Sequence, residues 1–272
     1  MNTKTSILSA LLCLSGTAVL YSQETITEAN YLKQDSLLWA EYESRTAELS
    51  QYWKTNPEVK DSIQHVYQKV YRKASEGNIA LAMKYASVPS GLQRLYMVRL
   101  DISKDTLQSI LNNLSTDMQE SFYGKNIREH IQTRQIQEGD SISTFPCIQS
   151  DEKPFDWNAT EGKQLLILYG GLGCMGEDGR RELKELYDRT SRKNLLVAVY
   201  WPCASLAELQ EIKQAYPSEY TFVSDFKRDA SPIKIKYGTQ ATPTCFLTDK
   251  QHVVKVKCTG LRINLFNPHI ED

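Results

Sequence analysis

Cys174 ends a run of apolar and glycine residues, Leu165-Leu166-Ile167-Leu168-Tyr169-Gly170-Gly171-Leu172-Gly173-Cys174, and stands just ahead of an amphipathic helix pattern. A cysteine reacts as its thiolate, and a helix N-terminus favours the thiolate through its unpaired N–H groups and its dipole. That placement makes Cys174 a candidate nucleophile. Glu177 and Asp178 lie in the same first turn, where they suit the helix but oppose a negative sulfur nearby. Cys174 therefore reads as a weakened nucleophile, with an inert cysteine in a turn as the alternative. Further along, Ala241-Thr242-Pro243-Thr244 leads into another apolar strand, and X-Pro bonds are where cis peptides occur.

The remaining candidates for chemistry are sparse. Beyond residue 22 the chain holds five cysteines, Cys147, Cys174, Cys203, Cys245 and Cys258. An odd number in an exported protein leaves at least one thiol free or paired between molecules. No Cys-x-x-Cys or Cys/His pair has metal-ligand spacing, and His65, His130, His252 and His269 are scattered, so no metal and no cofactor is expected. Cys147, Cys245 and Cys258 read as strand residues, for which core packing is the simplest role.

Positioning such residues requires a scaffold, and the patterning divides the chain in two. Residues 23–138 read as all-helical: few glycines or prolines, with apolar residues at three- and four-residue steps. One helix is expected from about Ile26 to Trp53. A second follows Asn56-Pro57, with Ile63, Val66, Val70 and Tyr71 on its apolar face. A shorter one is led by Asp105-Thr106-Leu107, and a last one begins at Tyr123-Gly124-Lys125. The aromatic stripe Tyr31, Trp39, Tyr42, Tyr52, Trp53, Tyr67 and Tyr71 reads as helix packing rather than a binding groove.

From residue 139 to 272 strands alternate with helices, the mark of an α/β domain whose central sheet is covered by helices. Leu165–Tyr169 is apolar throughout, as expected of a strand buried on both faces. A helix Glu177–Thr190 and a strand Leu195–Tyr200 follow. Ser205-Leu206-Ala207-Glu208 has the form of a capping box opening the next helix. Thr221–Val223 is a short strand. Phe246-Leu247 and Val253–Val256 read as a hairpin around Asp249-Lys250-Gln251.

The strand, the glycine turn, Cys174, the helix and Ala-Thr-Pro-Thr together resemble the thioredoxin-like thiol–disulfide oxidoreductases, in particular their extracytoplasmic TlpA/ResA-type branch. Residues 123–149, with Tyr123-Gly124-Lys125, Gly139-Asp140 and Phe145-Pro146-Cys147-Ile148, are similar to the passage by which that branch enters its thioredoxin domain. The likeness is strongest from 123 to 260. It implies a thioredoxin-like C-terminal domain with a mixed sheet, protein thiols or disulfides as substrates, and electrons from a membrane donor. It also implies a cis peptide before Pro243, packed against Cys174, with neighbouring backbone open to an extended substrate.

One departure matters more than the match. The family's active site is Trp-Cys-x-x-Cys, and only the first cysteine is present here. Counted from Tyr169, Glu177 takes the resolving position; counted back from Arg180-Arg181-Glu182, Gly179 does, so the loop has gained two residues. Gly173 replaces the tryptophan. Within the implied fold Cys203, after Tyr200-Trp201-Pro202, falls at the same sheet edge as Cys174, where open α/β sheets keep their sites. It is the candidate for a replacement resolving thiol. A peroxidase reading is weaker, because the Thr-x-x-Cys context of the related peroxiredoxins is absent from Gly171-Leu172-Gly173-Cys174. A catalytically inactive module that binds a partner protein or peptide is the rival reading.

The chain has 272 residues with a formal net charge of −1 and no basic block, which argues against nucleic acid as a partner. Residues 1–22 resemble a secretory signal: Lys4, an apolar run from Ile7 to Leu20, then Tyr21-Ser22. The apolar run falls short of the roughly 20 residues a membrane span needs. Cys13 follows Leu11-Leu12, which are large for a lipoprotein signal. Cleavage near Ser22 and a periplasmic product without a membrane span are expected.

Overall fold

Serine and threonine caps decide where most helices of the first half begin. The computed structural model describes residues 25–271; the expected signal, residues 1–22, lies outside them. Thr27 accepts from the Asn30 N–H at the start of α1 (Glu28–Thr55). Ser103 caps α4 (Lys104–Asn112), Ser115 caps α5 (Thr116–Glu120) and Ser121 caps α6 (Phe122–Gln132) in the same way. Between them run α2 (Lys60–Lys84) and α3 (Pro89–Met97), the latter with proline at its first turn. Helix α3, on which the sequence pattern gave no separate signal, buries Leu92, Leu95 and Tyr96 at the centre of this region.

The apolar face expected on α2 is only partly covered. Ile63 is buried, but Val66 and Tyr71 are 42% and 60% exposed. The reason is geometric: along this stretch α2 packs chiefly on α1, and one neighbouring helix cannot cover a full stripe. The aromatic stripe divides similarly. Tyr31 is buried edge-on against Tyr85, and Trp39, Tyr42 and Tyr71 form a run of edge contacts, while Tyr52 stays exposed.

The second half is one six-stranded sheet in the order β1-β4-β3-β2-β5-β6. Strands β2 (Gln164–Tyr169), β3 (Leu195–Tyr200) and β4 (Thr221–Ser224) are parallel. Strands β5 (Thr244–Thr248) and β6 (Val254–Thr259) add antiparallel on one side, and the two-residue β1 (Ile148–Gln149) on the other. This mixed sheet, with helices on it, is the thioredoxin-like arrangement. All six β2 residues are buried: Leu165–Tyr169 as an apolar run, as a central strand requires, and Gln164 with its amide donating to the Thr248 and His269 carbonyls.

One face of the sheet packs under Leu183 and Leu186 of α7 (Gly176–Arg189), Leu209 of α8 (Leu206–Ala215) and Phe266 of α10 (Ile263–Phe266). The other packs under Ile233 of α9 (Pro232–Ile235), Phe145, Phe155 and Tyr237. The Ser205 cap forms as expected, but the Glu208 carboxylate accepts from the Ala204 N–H, one residue before the cap.

Arg99 joins the halves. It is fully buried, and its guanidinium donates to the carbonyls of Tyr96, Lys234 and Thr239 and to Gln240 Oε1. Gln240 lies three residues before Pro243, so the helical region holds the loop that carries the proline.

Candidate active site

The turn after β2 is shaped by contact with the loop before β5. Tyr169 pairs with Thr244 across the antiparallel β2–β5 ladder, which brings Gly171 against Pro243. A Cβ on Gly171 would lie 2.4 Å from the Pro243 nitrogen, and the residue has φ +88°, so glycine is required on both counts. The Thr242–Pro243 peptide is cis. Cys174, two residues ahead of α7, is exposed, with Sγ 3.5 Å from Thr242 Oγ1.

Two features leave this edge open to a ligand. No side chain caps α7, whose flanking residue is Met175; of its first N–H groups that of Gly176 donates to the Gly173 carbonyl at 3.4 Å. The Pro243 carbonyl is taken by the Gly260 N–H at 2.8 Å, whereas the main-chain N–H and C=O of Thr242 have no backbone partner among the described residues. An extended chain laid along Thr242 would find a donor and an acceptor within reach of the sulfur.

Residues that the sequence reading did not single out support the turn. Arg180, one turn into α7, donates to the Leu172 carbonyl at 2.9 Å and lies over the Tyr216 ring. Tyr216 packs on Trp201, and its hydroxyl would meet a Cβ on Gly173 at 2.7 Å. The position that departs from the resembled motif is thus the one where Tyr216 reaches the turn. A groove of about 500 Å³ between α7 and the α8–β4 connection begins at Leu172, Arg180 and Tyr216. The two acids have separate surroundings: Asp178 is ion-paired to Arg181 at 2.7 Å and, like Glu177, is exposed.

Cys174 and Pro243 are therefore brought together, and Cys203 is placed differently. It follows β3 at the same sheet edge, but its side chain is 3% exposed and packs in the core with Leu172 and Leu209. Burial pushes its thiol up, the Ser224 hydroxyl beside it acting in the opposite sense. Cys147 is buried next to β1, and burial pushes its thiol up strongly. No disulfide is formed between these residues. Among the described residues no group of His, Cys, Asp and Glu could hold a metal ion.

The sequence matches no protein-family model and no curated protein. Solved structures similar to the chain cover about its second half. The thioredoxin domain of a thiol-disulfide oxidoreductase from Bacteroides vulgatus matches 50% of this chain and 99% of its own, at 16% identity and a TM-score of 0.44. A thiol-disulfide oxidoreductase from Bacteroides fragilis matches 48% of this chain and 96% of its own, at 14% identity and a TM-score of 0.42. A thiol-disulfide isomerase from Corynebacterium glutamicum matches 48% and 96%, at 12% identity and a TM-score of 0.41.

Proposed function

We propose that this protein is an exported thiol–disulfide oxidoreductase acting through the single cysteine Cys174 on protein disulfides. The observation that carries the reading is the exposed Cys174 sulfur, 3.5 Å from Thr242 Oγ1 and beside a Thr242 main chain open to a bound peptide. In this reading residues 139–272 form the catalytic domain, and residues 23–138 hold the Pro243 loop.

The chemistry proceeds by exchange. The Cys174 thiolate attacks one sulfur of a substrate disulfide; that S–S bond breaks, the other substrate sulfur leaves as a thiolate and takes a proton, and a mixed disulfide remains on Cys174. A second thiol then attacks the Cys174 sulfur and frees the substrate. Cys203 is the intramolecular candidate, but its burial means that the β3–α8 connection must move before it can reach. An external thiol is the route that the geometry favours. The reducing electrons would come from a membrane donor, as the family resemblance implies; no helix among the described residues is itself long and apolar enough to cross a membrane.

Reduction of insulin disulfides by a small-thiol donor tests the reading. The wild type should accelerate the reaction over background and Cys174→Ser should not. Equal background activity of both would favour the binding-module reading, in which the Thr242 edge holds a peptide without chemistry.

A further inference from the structure

Cys245 of β5 and Cys258 of β6 are direct cross-strand partners. Both side chains stand on the α7 face of the sheet, Cys245 inside the core beside Leu168 and Leu172, and Cys258 at its rim. The Gly260 N–H donates to the Pro243 carbonyl two residues along the same ladder. Hydrogen-bonded and non-bonded pairs alternate in an antiparallel ladder, so Cys245 and Cys258 occupy a hydrogen-bonded pair. Such pairs have Cα atoms about 5.5 Å apart, within the span a disulfide bridges.

The two thiols differ. Cys245 is fully buried; Cys258 is half-buried on the strand that ends the sheet. The Cys258 Sγ donates to the Gly260 carbonyl at 3.5 Å, and the adjoining Cys245 thiol, with help from Arg262, lowers the Cys258 thiol against the pull of its own partial burial and of Glu138. The same contact and burial raise Cys245. One sulfur can thus be approached and is biased toward thiolate, while the other is held in contact behind it. A nucleophilic and a resolving thiol need that division of roles.

We propose that Cys245 and Cys258 form a second redox site, a cross-strand dithiol oxidised to a disulfide by exchange with a low-molecular-weight disulfide. The Cys258 thiolate attacks one sulfur of the small disulfide; its S–S bond breaks and one small thiolate leaves. The Cys245 sulfur then attacks Cys258, passes its proton to the second small thiolate as that group is expelled, and closes the bridge. Two protein thiols are oxidised and one small disulfide is reduced to two thiols. The exchange does not use Cys174, and its bridge would fasten β5 to the edge strand two residues beyond Pro243.

The test uses the full chain and its Cys174→Ser variant, each incubated natively with glutathione disulfide, quenched with acid, alkylated in denaturant and mapped by mass spectrometry. The expected result in both is a Cys245–Cys258 peptide pair, protected from alkylation and released by reductant. Cys258→Ala should leave Cys245 unmodified, and Cys245→Ala should leave glutathione on Cys258. Recovery of both cysteines as alkylated thiols from the folded wild type, or a persistent glutathione adduct on Cys258 while Cys245 is intact, overturns the proposal. The wild-type map decides even where a variant fails to fold.

Discussion

At the residue scale the five described cysteines differ by exposure before they differ by anything else. Cys174 is exposed, Cys258 is half-buried, and Cys147, Cys203 and Cys245 are buried. Burial both blocks a reagent and disfavours the thiolate. Native alkylation with iodoacetamide near neutral pH should therefore label Cys174 first and Cys147 and Cys245 only in denaturant, with a rate difference of at least about tenfold. Quenched labelling and peptide mapping measure the order. Comparable native rates at Cys147 and Cys174 would show that exposure does not govern reactivity here. Cys174 and its helix were legible in the sequence because a glycine turn between a strand and a helix is a local pattern. The burial of Cys203 was not, since it depends on packing against Leu172, which comes from the turn after β2, far from Cys203 in the chain.

At the element scale the β2–α7 turn and the Thr242–Pro243 loop are one construction. The turn reaches the loop only because Gly171 has no Cβ to meet Pro243. Gly171→Ala places a methyl group 2.4 Å from a backbone nitrogen at φ +88°, so either the turn or the loop must shift. A destabilisation of about 2 kcal/mol or more is expected, seen as a lower urea midpoint. Activity in the insulin assay should fall further than stability does, because the displaced turn carries Cys174. Unchanged stability and activity would show that the contact is not tight in solution. The glycine-rich character of the turn could be read from the residues, but which glycine touches which partner required the β2–β5 ladder. The Gly173–Tyr216 contact shows the same limit: the departure from the resembled motif was visible, whereas the ring that meets it comes from beyond α8.

At the scale of the whole molecule Arg99 and His130 mark the joint between the helices and the sheet. Arg99→Met keeps much of the volume but leaves the carbonyls of Tyr96, Lys234 and Thr239 without that donor. The Lys234 carbonyl keeps the Thr239 N–H, while unmet buried acceptors at Tyr96 and Thr239 cost about 1–3 kcal/mol each, so a loss of about 2 kcal/mol or more is expected in urea unfolding. A change within experimental error would mean that the joint is not held there. His130 on α6 is buried, and burial with the nearby charges of Arg99 and Lys104 lowers its pKa to about 4. The unfolded chain, with an ordinary histidine near 6.5, then binds more protons than the folded one between these values. Its contribution is complete above about pH 6.5 and is lost progressively as pH falls toward about 4. The wild type should lose more stability than His130→Gln between about pH 7 and about pH 4.5. Parallel pH profiles of the two urea midpoints would contradict this.

What the sequence determined by itself is what depends on neighbours along the chain. Hydrophobic periodicity separated a helical first half from an α/β second half, and the positions of β3, α7 and α1 agree with their patterns to within about two residues, the ordinary spread of such boundaries. The presence of one cysteine where the resembled motif has two was equally plain. Only the tertiary structure decided what depends on strands meeting. It placed Thr242 beside Cys174, buried Cys203 and set Cys245 opposite Cys258. It also left Val66 and Tyr71 of α2 exposed, because a helix pattern records which residues share a face but not how much of that face a neighbour covers. Sheet register and side-chain burial arise from contacts between residues far apart in the chain, and no local pattern encodes them.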